Sequence, residues 1–432
     1  MSRRIALVSL HTSPLATAGS GDAGGMNVSL VGLAGALRAR GYEVELLTRD
    51  AGDGRPDSHT DDGVPVRFLR AGPRASVPKA ELPTLTDAFG RSMAELPPFD
   101  LVHSHYWLSG AAALPVAREW GVPHVLSLHT VAALKNEHLA PGDEPEPAER
   151  LRAEAALVRD SDLTIAATQA ERDAILRATD AAPGRVSVVT PGVDTHLFHP
   201  SALPHADALD RKDGDPAAPT TSMESWPAAG ADLRRFARPV VLVLARIQPL
   251  KGVDLAIRAI GAIPAERRPR LVIAGGTSPG HEAYTSGLHG LVTALALHDH
   301  VQFLPAQSRD AAATLIRDAT LLLIPSHSET YGLVALEAAA SATPVIAARA
   351  GGLVESVLDG VSGLLIADRT PDAWGRAIDG LLHDPGHLAA LQAGALRHGR
   401  THSWAHTAEH LAARYDDVLD RHAPPEKPEW RP

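Results

Sequence analysis

Two cations spaced for diphosphate binding lie in Arg246-Ile-Gln-Pro-Leu-Lys251, directly after the apolar run Pro239–Ala245. The carboxyl end of a buried strand is where open α/β sheets bind ligands, so Arg246 and Lys251 could neutralise a diphosphate there. A solvated pair at a strand end is the alternative. Further on, Ser326-His-Ser-Glu-Thr-Tyr-Gly-Leu-Val-Ala-Leu-Glu337 sets Glu329 just beyond the run Leu321–Pro325. Gly332 falls near a helix start and Glu337 inside that helix. Carboxylates accept bidentate hydrogen bonds from sugar hydroxyls, which suits one contact to a transferred sugar and one to a ribose. Glutamates at this spacing carry no weight alone; their place between an apolar strand and an apolar helix gives them meaning. A third cluster, Gly19-Ser-Gly-Asp-Ala-Gly-Gly-Met-Asn27, opens a helix after the first strand. Glycines at such a turn let the backbone approach a ligand, and the helix N-terminus favours an anion. Its spacing is not that of a dinucleotide turn, and a flexible surface loop would look the same.

Short apolar runs alternating with amphipathic, helix-length segments must position these clusters, which is the pattern of βαβ units. The first half offers strands at Ile5–Leu10, Glu43–Thr48, Val64–Arg70, Asp100–His105, His124–His129, Leu163–Thr168 and Val186–Thr190, with helices such as Asn27–Arg40 and Ala148–Arg159. The second half begins again at Pro239–Ala245 and continues through Arg270–Ala274, His300–Leu304, Leu321–Pro325, Thr343–Ala348 and Gly363–Ala367. Two such series predict an α/β chain of two Rossmann-like, doubly wound domains over 1–200 and 238–403. The Pro-, Ala- and Asp-rich segment 201–237 reads as a linker with an insertion. Helical spacing over 404–421 predicts a last helix packing back on the first domain, and 422–432 reads as a tail.

The chain has 432 residues, 44% of them apolar, enough for two cores. A net charge of −10 argues against a nucleic-acid binder. With no cysteine, disulfides and thiolate metal sites are excluded. No apolar stretch long enough to span a membrane occurs, and the expectation is a cytoplasmic protein.

Arg-x4-Lys, the glutamate segment and Gly351-Gly352 before a helix resemble glycosyltransferase family 4, of GT-B fold. His11-Thr-Ser-Pro-Leu, Gly21-Asp-Ala-Gly-Gly-Met-Asn27, Lys79-Ala-Glu-Leu-Pro83, His103-Ser-His-Tyr-Trp-Leu-Ser-Gly110 and His129-Thr-Val-Ala-Ala-Leu-Lys-Asn136 resemble one branch of it more narrowly. That branch makes the first intermediate of mycothiol biosynthesis. The resemblance implies a retaining hexosyltransferase moving N-acetylglucosamine from UDP-N-acetylglucosamine to 1D-myo-inositol 3-phosphate. It also implies a homodimer.

By the same resemblance, Lys79, Tyr106, Thr130 and Arg150 would hold the acceptor phosphate. The set makes physical sense, as two cations and two hydroxyls supply charge-assisted bonds. Asn27, with His11 and Asp22 beside it, would hold cyclitol hydroxyls against the turn Ala23-Gly24-Gly25-Met26. Arg246 and Lys251 would bind the diphosphate, with Gly25 approaching from across the cleft, Glu329 on the sugar and Glu337 on the ribose. His129 would contact the donor sugar or share its charge. Gln307 stands where an arginine is usual near the uracil site, and Ser341-Ala-Thr-Pro replaces the usual Cys-Gly-Thr-Pro. Mg²⁺ is associated with the family through mainly backbone oxygens, by position Ile316, Arg317 and Ala319 with Thr343. The transfer itself requires no cofactor.

Several patterns have plainer readings. Asp160-Ser-Asp162 precedes a strand instead of ending one and reads as a solvated helix end. His103-Ser-His105 reads as packed strand histidines, not zinc ligands. Among other functions, a sucrose-phosphate-synthase-like enzyme or an aminoglycoside N-acetylglucosaminyltransferase would share the donor motifs. An uncharged acceptor would not need Lys79 and Arg150 together. A UDP-sugar 2-epimerase would need acid/base carboxylates that the motifs do not supply. A non-enzymatic sugar binder would not need both a donor and an acceptor set.

Overall fold

The computed structural model describes residues 2–16, 24–52, 58–137, 139, 144–200 and 238–422. The segment 201–237 and the tail beyond residue 422 lie outside the described residues.

The first domain runs β1 (Arg4–Ser9), α1 (Gly25–Ala39), β2 (Glu43–Arg49), β3 (Val66–Leu69), α2 (Thr86–Ala94), β4 (Leu101–His105), α3 (Trp107–Trp120), β5 (His124–Ser127), α4 (Ala132–Glu137), α5 (Ala148–Asp160), β6 (Leu163–Ala166), α6 (Gln169–Thr179) and β7 (Val186–Val188). The second runs β8 (Val240–Leu244), α7 (Val253–Ala262), β9 (Arg270–Ala274), α8 (Glu282–Ala294), β10 (Val301–Leu304), α9 (Arg309–Asp318), β11 (Leu321–Ile324), α10 (Leu333–Ala340), β12 (Val345–Ala348), α11 (Leu353–Ser356), β13 (Gly363–Ile366), α12 (Pro371–Leu382) and α13 (Pro385–Arg400). A final helix, α14, spans Trp404–His422.

Each domain holds one parallel sheet, in strand order β3-β2-β1-β4-β5-β6-β7 and β10-β9-β8-β11-β12-β13. Helices cover both faces, so the central strands are apolar almost throughout instead of alternating, as in Val-Val-Leu-Val-Leu of β8. Strand β3 is shorter than the apolar run containing it. Pro65 has no N–H to donate and instead accepts from Leu46 N–H at 2.9 Å, so the ladder starts at Val66.

The strand order reverses between β1 and β4 in the first sheet, and between β8 and β11 in the second. At such switch points the loops leaving adjacent strands diverge to opposite faces and leave a crevice. Helix α14 returns to the first domain, where Ala408, Leu411, Tyr415 and Val418 join the core with Leu30 and Leu33 of α1. The fit is close: a Cβ on Gly32 would lie 2.4 Å from the Trp404 ring.

Candidate active site

A cleft of about 380 Å³ opens between the carboxyl ends of the two sheets. Its first wall is built by the loops leaving β1, β4 and β5. Helix α1 begins after Gly24, whose N–H donates to Asn27 Oδ1 at 3.2 Å. Asn27 Nδ2 donates to Thr12 Oγ1 at 3.0 Å and to the Ser13 carbonyl at 2.6 Å. Both ends of this amide are therefore committed to the turn. Asn27 is 2% exposed and holds the backbone of Gly24 and Gly25 in the cleft wall instead of lining the cleft itself. Asp22 and Ala23 lie outside the described residues.

Tyr106 follows β4 with φ 77° and His129 follows β5 with φ 59°. Non-glycine residues rarely adopt this left-handed backbone, and here it occurs where the chain leaves central strands to form a site. The Tyr106 ring is the centre of the wall. His11 packs on it with centroids 4.3 Å apart, Lys79 Nζ lies 5.5 Å from its centroid, and Arg150 Cζ lies 4.9 Å from it. Thr130 joins His11, Lys79, Tyr106 and His129 along the cleft.

Arg150, in the first turn of α5, is 3% exposed. It donates from Nε to Glu154 at 2.7 Å and from Nη2 to the Thr130 carbonyl at 2.8 Å, and its Nη1 pairs with Glu146 at 2.9 Å. Burial opposes its charge, but Tyr106, Glu154 and Glu146 hold it protonated. Burial pushes Glu154 up, whereas Glu146 stays low because Lys135 and Arg150 outweigh its burial. His11 is lowered to about 3, by burial first and then by Lys79, and burial takes His129 to about 4. Both rings are thus neutral near pH 7. Of the two cations at the Tyr106 ring, Lys79 lines the cleft, while Arg150 lies behind it, paired with Glu146 and Glu154.

The second wall is built by the loops leaving β8 and β11. Arg246 lies across the cleft from the start of α1, its Nε 3.7 Å from where a Gly24 Cβ would be. The loop that carries it packs tightly, and a Cβ on Gly275 would meet the Ala245 carbonyl at 1.9 Å. Lys251 Nζ donates to Glu329 Oε1 at 2.6 Å, and Ser326 Oγ donates to the same oxygen at 2.8 Å. Lys251 and Glu329 are therefore one ion pair on the cleft wall, not two separate contacts. Gly351 (φ 51°) supports Glu329 from behind: a Cβ there would meet the Glu329 carbonyl at 2.3 Å, and Gly352 N–H donates to that carbonyl at 2.7 Å.

Glu337, inside α10, is 8% exposed and pairs with Arg309 Nη1 at 2.5 Å. Arg309 also lies over the Phe198 ring, 4.8 Å from its centroid. Sequence reasoning missed Arg309. A signal was present, because a cation at the first position of a helix opposes the macrodipole and needs another reason to be there. Gln307 lines the cleft beside it and donates its side-chain amide back to the Pro305 carbonyl at 2.7 Å.

The positions implied for Mg²⁺ do come together, as Thr343 Oγ1 donates to the Ile316 carbonyl at 2.7 Å. That carbonyl also accepts from Ala319 N–H at 3.3 Å, and the Arg317 guanidinium turns away to the Leu197 and His199 carbonyls. A divalent cation there would have to displace the bond between Thr343 and the Ile316 carbonyl. Among the described residues no group of three or more His, Asp or Glu side chains could hold a metal. His103 is instead a packed strand histidine, bonded to Tyr415 and Ser127.

The walls touch at several points. Thr330 Oγ1 donates to the His129 carbonyl at 2.7 Å, and Glu355 accepts Gln169 N–H at 2.9 Å and Ala170 N–H at 3.1 Å in the first turn of α6. No helix among the described residues is long and apolar enough to cross a membrane.

Comparison with known proteins agrees with this architecture. A family model for glycosyl transferases group 1 matches residues 233–398, and one for a glycosyl transferase 4-like domain matches residues 24–192. A D-inositol 3-phosphate glycosyltransferase from Stackebrandtia nassauensis is 40% identical over 98% of this chain and 93% of its own length. One from Mycolicibacterium paratuberculosis is 41% identical over 96% of this chain and 90% of its own. Among solved structures, a sucrose-phosphate synthase from Thermosynechococcus elongatus superposes with a TM-score of 0.82 at 27% identity, covering 97% of this chain and all of its own, 100%. An Anabaena protein solved with UDP-glucose shares the fold, with a TM-score of 0.72 at 20% identity over 96% of this chain and 100% of its own. Two facing Rossmann-like domains, a site at both switch points and full-length relatives converge on one conclusion: the chain is a glycosyltransferase of GT-B fold and belongs to the D-inositol 3-phosphate glycosyltransferase family.

Proposed function

We propose that this enzyme transfers N-acetylglucosamine from UDP-N-acetylglucosamine to 1D-myo-inositol 3-phosphate with retention of configuration, the first step of mycothiol biosynthesis. The observation that carries this reading is the pairing of two cationic walls. Lys79 lines one side beside Tyr106, with Arg150 buried behind that ring, and Arg246 and Lys251 line the other. One wall suits an acceptor phosphate and the other a donor diphosphate. Thr130 and His11 stand beside the first, where they would meet the phosphate and a cyclitol hydroxyl.

In the reaction, the acceptor hydroxyl oxygen bonds to the anomeric carbon as that carbon's bond to the diphosphate breaks. The hydroxyl proton passes to the departing phosphate oxygen on the same face, so configuration is retained without a protein nucleophile. The protein orients the acceptor and stabilises the charge that grows on UDP. Arg246 is the fixed cation for that charge. Lys251, held by Glu329, would shift part of its interaction to the diphosphate while Glu329 turns to sugar hydroxyls. Glu337, steadied by Arg309, would take the ribose.

The stereochemistry is tested by proton NMR of the product. A small anomeric coupling, the same configuration as the donor, supports the reading, and a large diaxial coupling overturns it. The similarity to a sucrose-phosphate synthase favours a second reading, in which the acceptor is a phosphorylated hexose. Fructose 6-phosphate as competing acceptor separates the two, because the cyclitol reading predicts no turnover with it.

A further inference from the structure

His129 lines two cavities, the cleft and a smaller one of about 70 Å³ behind it. Its Nε2 is 2.8 Å from His105 Nδ1, and the two rings stack with centroids 5.1 Å apart. The His105 ring lies in turn against His103, tilted by 32° with centroids 4.3 Å apart. The two strand histidines differ in one respect. His103 has both nitrogens matched, to the Tyr415 hydroxyl at 2.7 Å and Ser127 Oγ at 2.9 Å. His105 Nε2 is buried and has no partner among the described residues. Glu171 lines the same small cavity: its Oε2 accepts Ala167 N–H at 2.7 Å, while its Oε1 is likewise buried and unpartnered. Both residues are 2% exposed. A cavity of that size, polar at two points, has room for water that would join them.

Burial keeps His103, His105 and His129 neutral, so each ring carries one N–H and one bare nitrogen. The hydrogen bond between His105 and His129 then makes their tautomers complementary. If His105 donates from Nδ1, its Nε2 must accept from the cavity and His129 carries its proton on Nδ1. If His129 donates instead, both assignments reverse. Burial pushes Glu171 up to about 7, so its acid form persists to near-neutral pH, and in that form Oε1 is the donor because Oε2 already accepts.

We propose that Glu171 and His105 are positioning residues for sugar transfer, fixing the proton of His129 on Nδ1 through water in the cavity behind the cleft. Nδ1 is the nitrogen that remains to serve the donor sugar, so this inference rests on the placement of the donor sugar beside His129.

Glu171→Gln keeps an acceptor for Ala167 and a donor for the cavity; Glu171→Leu removes both. The expected result is a kcat close to that of the unmodified enzyme for Glu171→Gln and about tenfold lower for Glu171→Leu. Both KM values should stay within about twofold. Equal kcat in all three proteins overturns the proposal. So does an equal loss in both variants with a matching fall in melting temperature, which marks a purely structural role. If Glu171→Leu does not fold, histidine ¹⁵N NMR of the unmodified, ligand-free protein decides, with the His129 signal assigned through His129→Gln. A protonated Nδ1 supports the relay and a protonated Nε2 overturns it. That spectrum needs no substrate, so it stands or falls separately from the identity of the donor.

Discussion

Lys79 and Arg150 flank one ring, Tyr106, yet differ in how their charge is met. Arg150 is buried against Glu146 and Glu154. Replacing it would strand Glu154 without its partner, a change that costs about 3–5 kcal/mol when the remaining charge is buried. Lys79 is the cleaner probe of the proposed phosphate site. Lys79→Gln is expected to raise the acceptor KM about ten- to a hundredfold, the worth of one charge-assisted hydrogen bond, and to leave the donor KM within about twofold. Steady-state kinetics against each substrate in turn checks this, and an unchanged acceptor KM would remove Lys79 from the site. Arg246→Ala is expected to lower kcat by about 10²–10³, as for other fixed donors to developing negative charge. A loss confined to KM would instead make Arg246 a ground-state contact. The sequence places Arg246, Lys251, Glu329 and Glu337 on the cleft because each follows a strand that hydropathy marks plainly. It does not show that Lys251 pairs with Glu329 or that Asn27 spends its amide on the turn. Both outcomes depend on side-chain directions that residue order does not encode.

At the scale of elements, the site depends on loops pressed against each other at the strand ends. Gly351 lets the start of α11 back directly onto Glu329, with φ 51° and no room for a Cβ. Gly351→Ala is therefore expected to cost about 1–3 kcal/mol of stability from backbone strain. It should also move the Glu329 carboxylate, raising the donor KM more than the acceptor KM. Thermal melting together with both KM values checks this, and an unchanged donor KM would show that Glu329 is not held from behind. The strands were legible because parallel strands covered on both faces are continuous apolar runs. The start of β3 was not, because hydropathy does not register that Pro65 lacks an N–H. Helix α14 was legible from its spacing, Ala408, Leu411, Tyr415 and Val418, but not the contact of Tyr415 with His103, which joins residues 312 positions apart.

The whole molecule carries a set of buried histidines whose charging opposes the fold. His11 and His124 lie at about 3 and His129 at about 4, with His103 and His105 also well below the ordinary value of 6.5. For each, the unfolded chain binds a proton that the native state refuses. The stability they allow is complete above pH 6.5 and is lost progressively as pH falls from there toward 3–4. Each costs up to about 1.4 kcal/mol per pH unit in that window. Melting temperature should fall clearly between pH 7.5 and 5.0, and a flat profile would mean that these rings titrate normally. Thr330 on His129 and Glu355 on α6 join the two domains across the cleft, so the proposed acceptor and donor walls are held as one assembly. UDP release from UDP-N-acetylglucosamine, measured with 1D-myo-inositol 3-phosphate and with unphosphorylated inositol, tests that assembly most directly. The proposed reaction gives fast release with the phosphorylated acceptor alone, strongly reduced at limiting acceptor in Lys79→Gln. Equal release with both acceptors, or none with either, would contradict it.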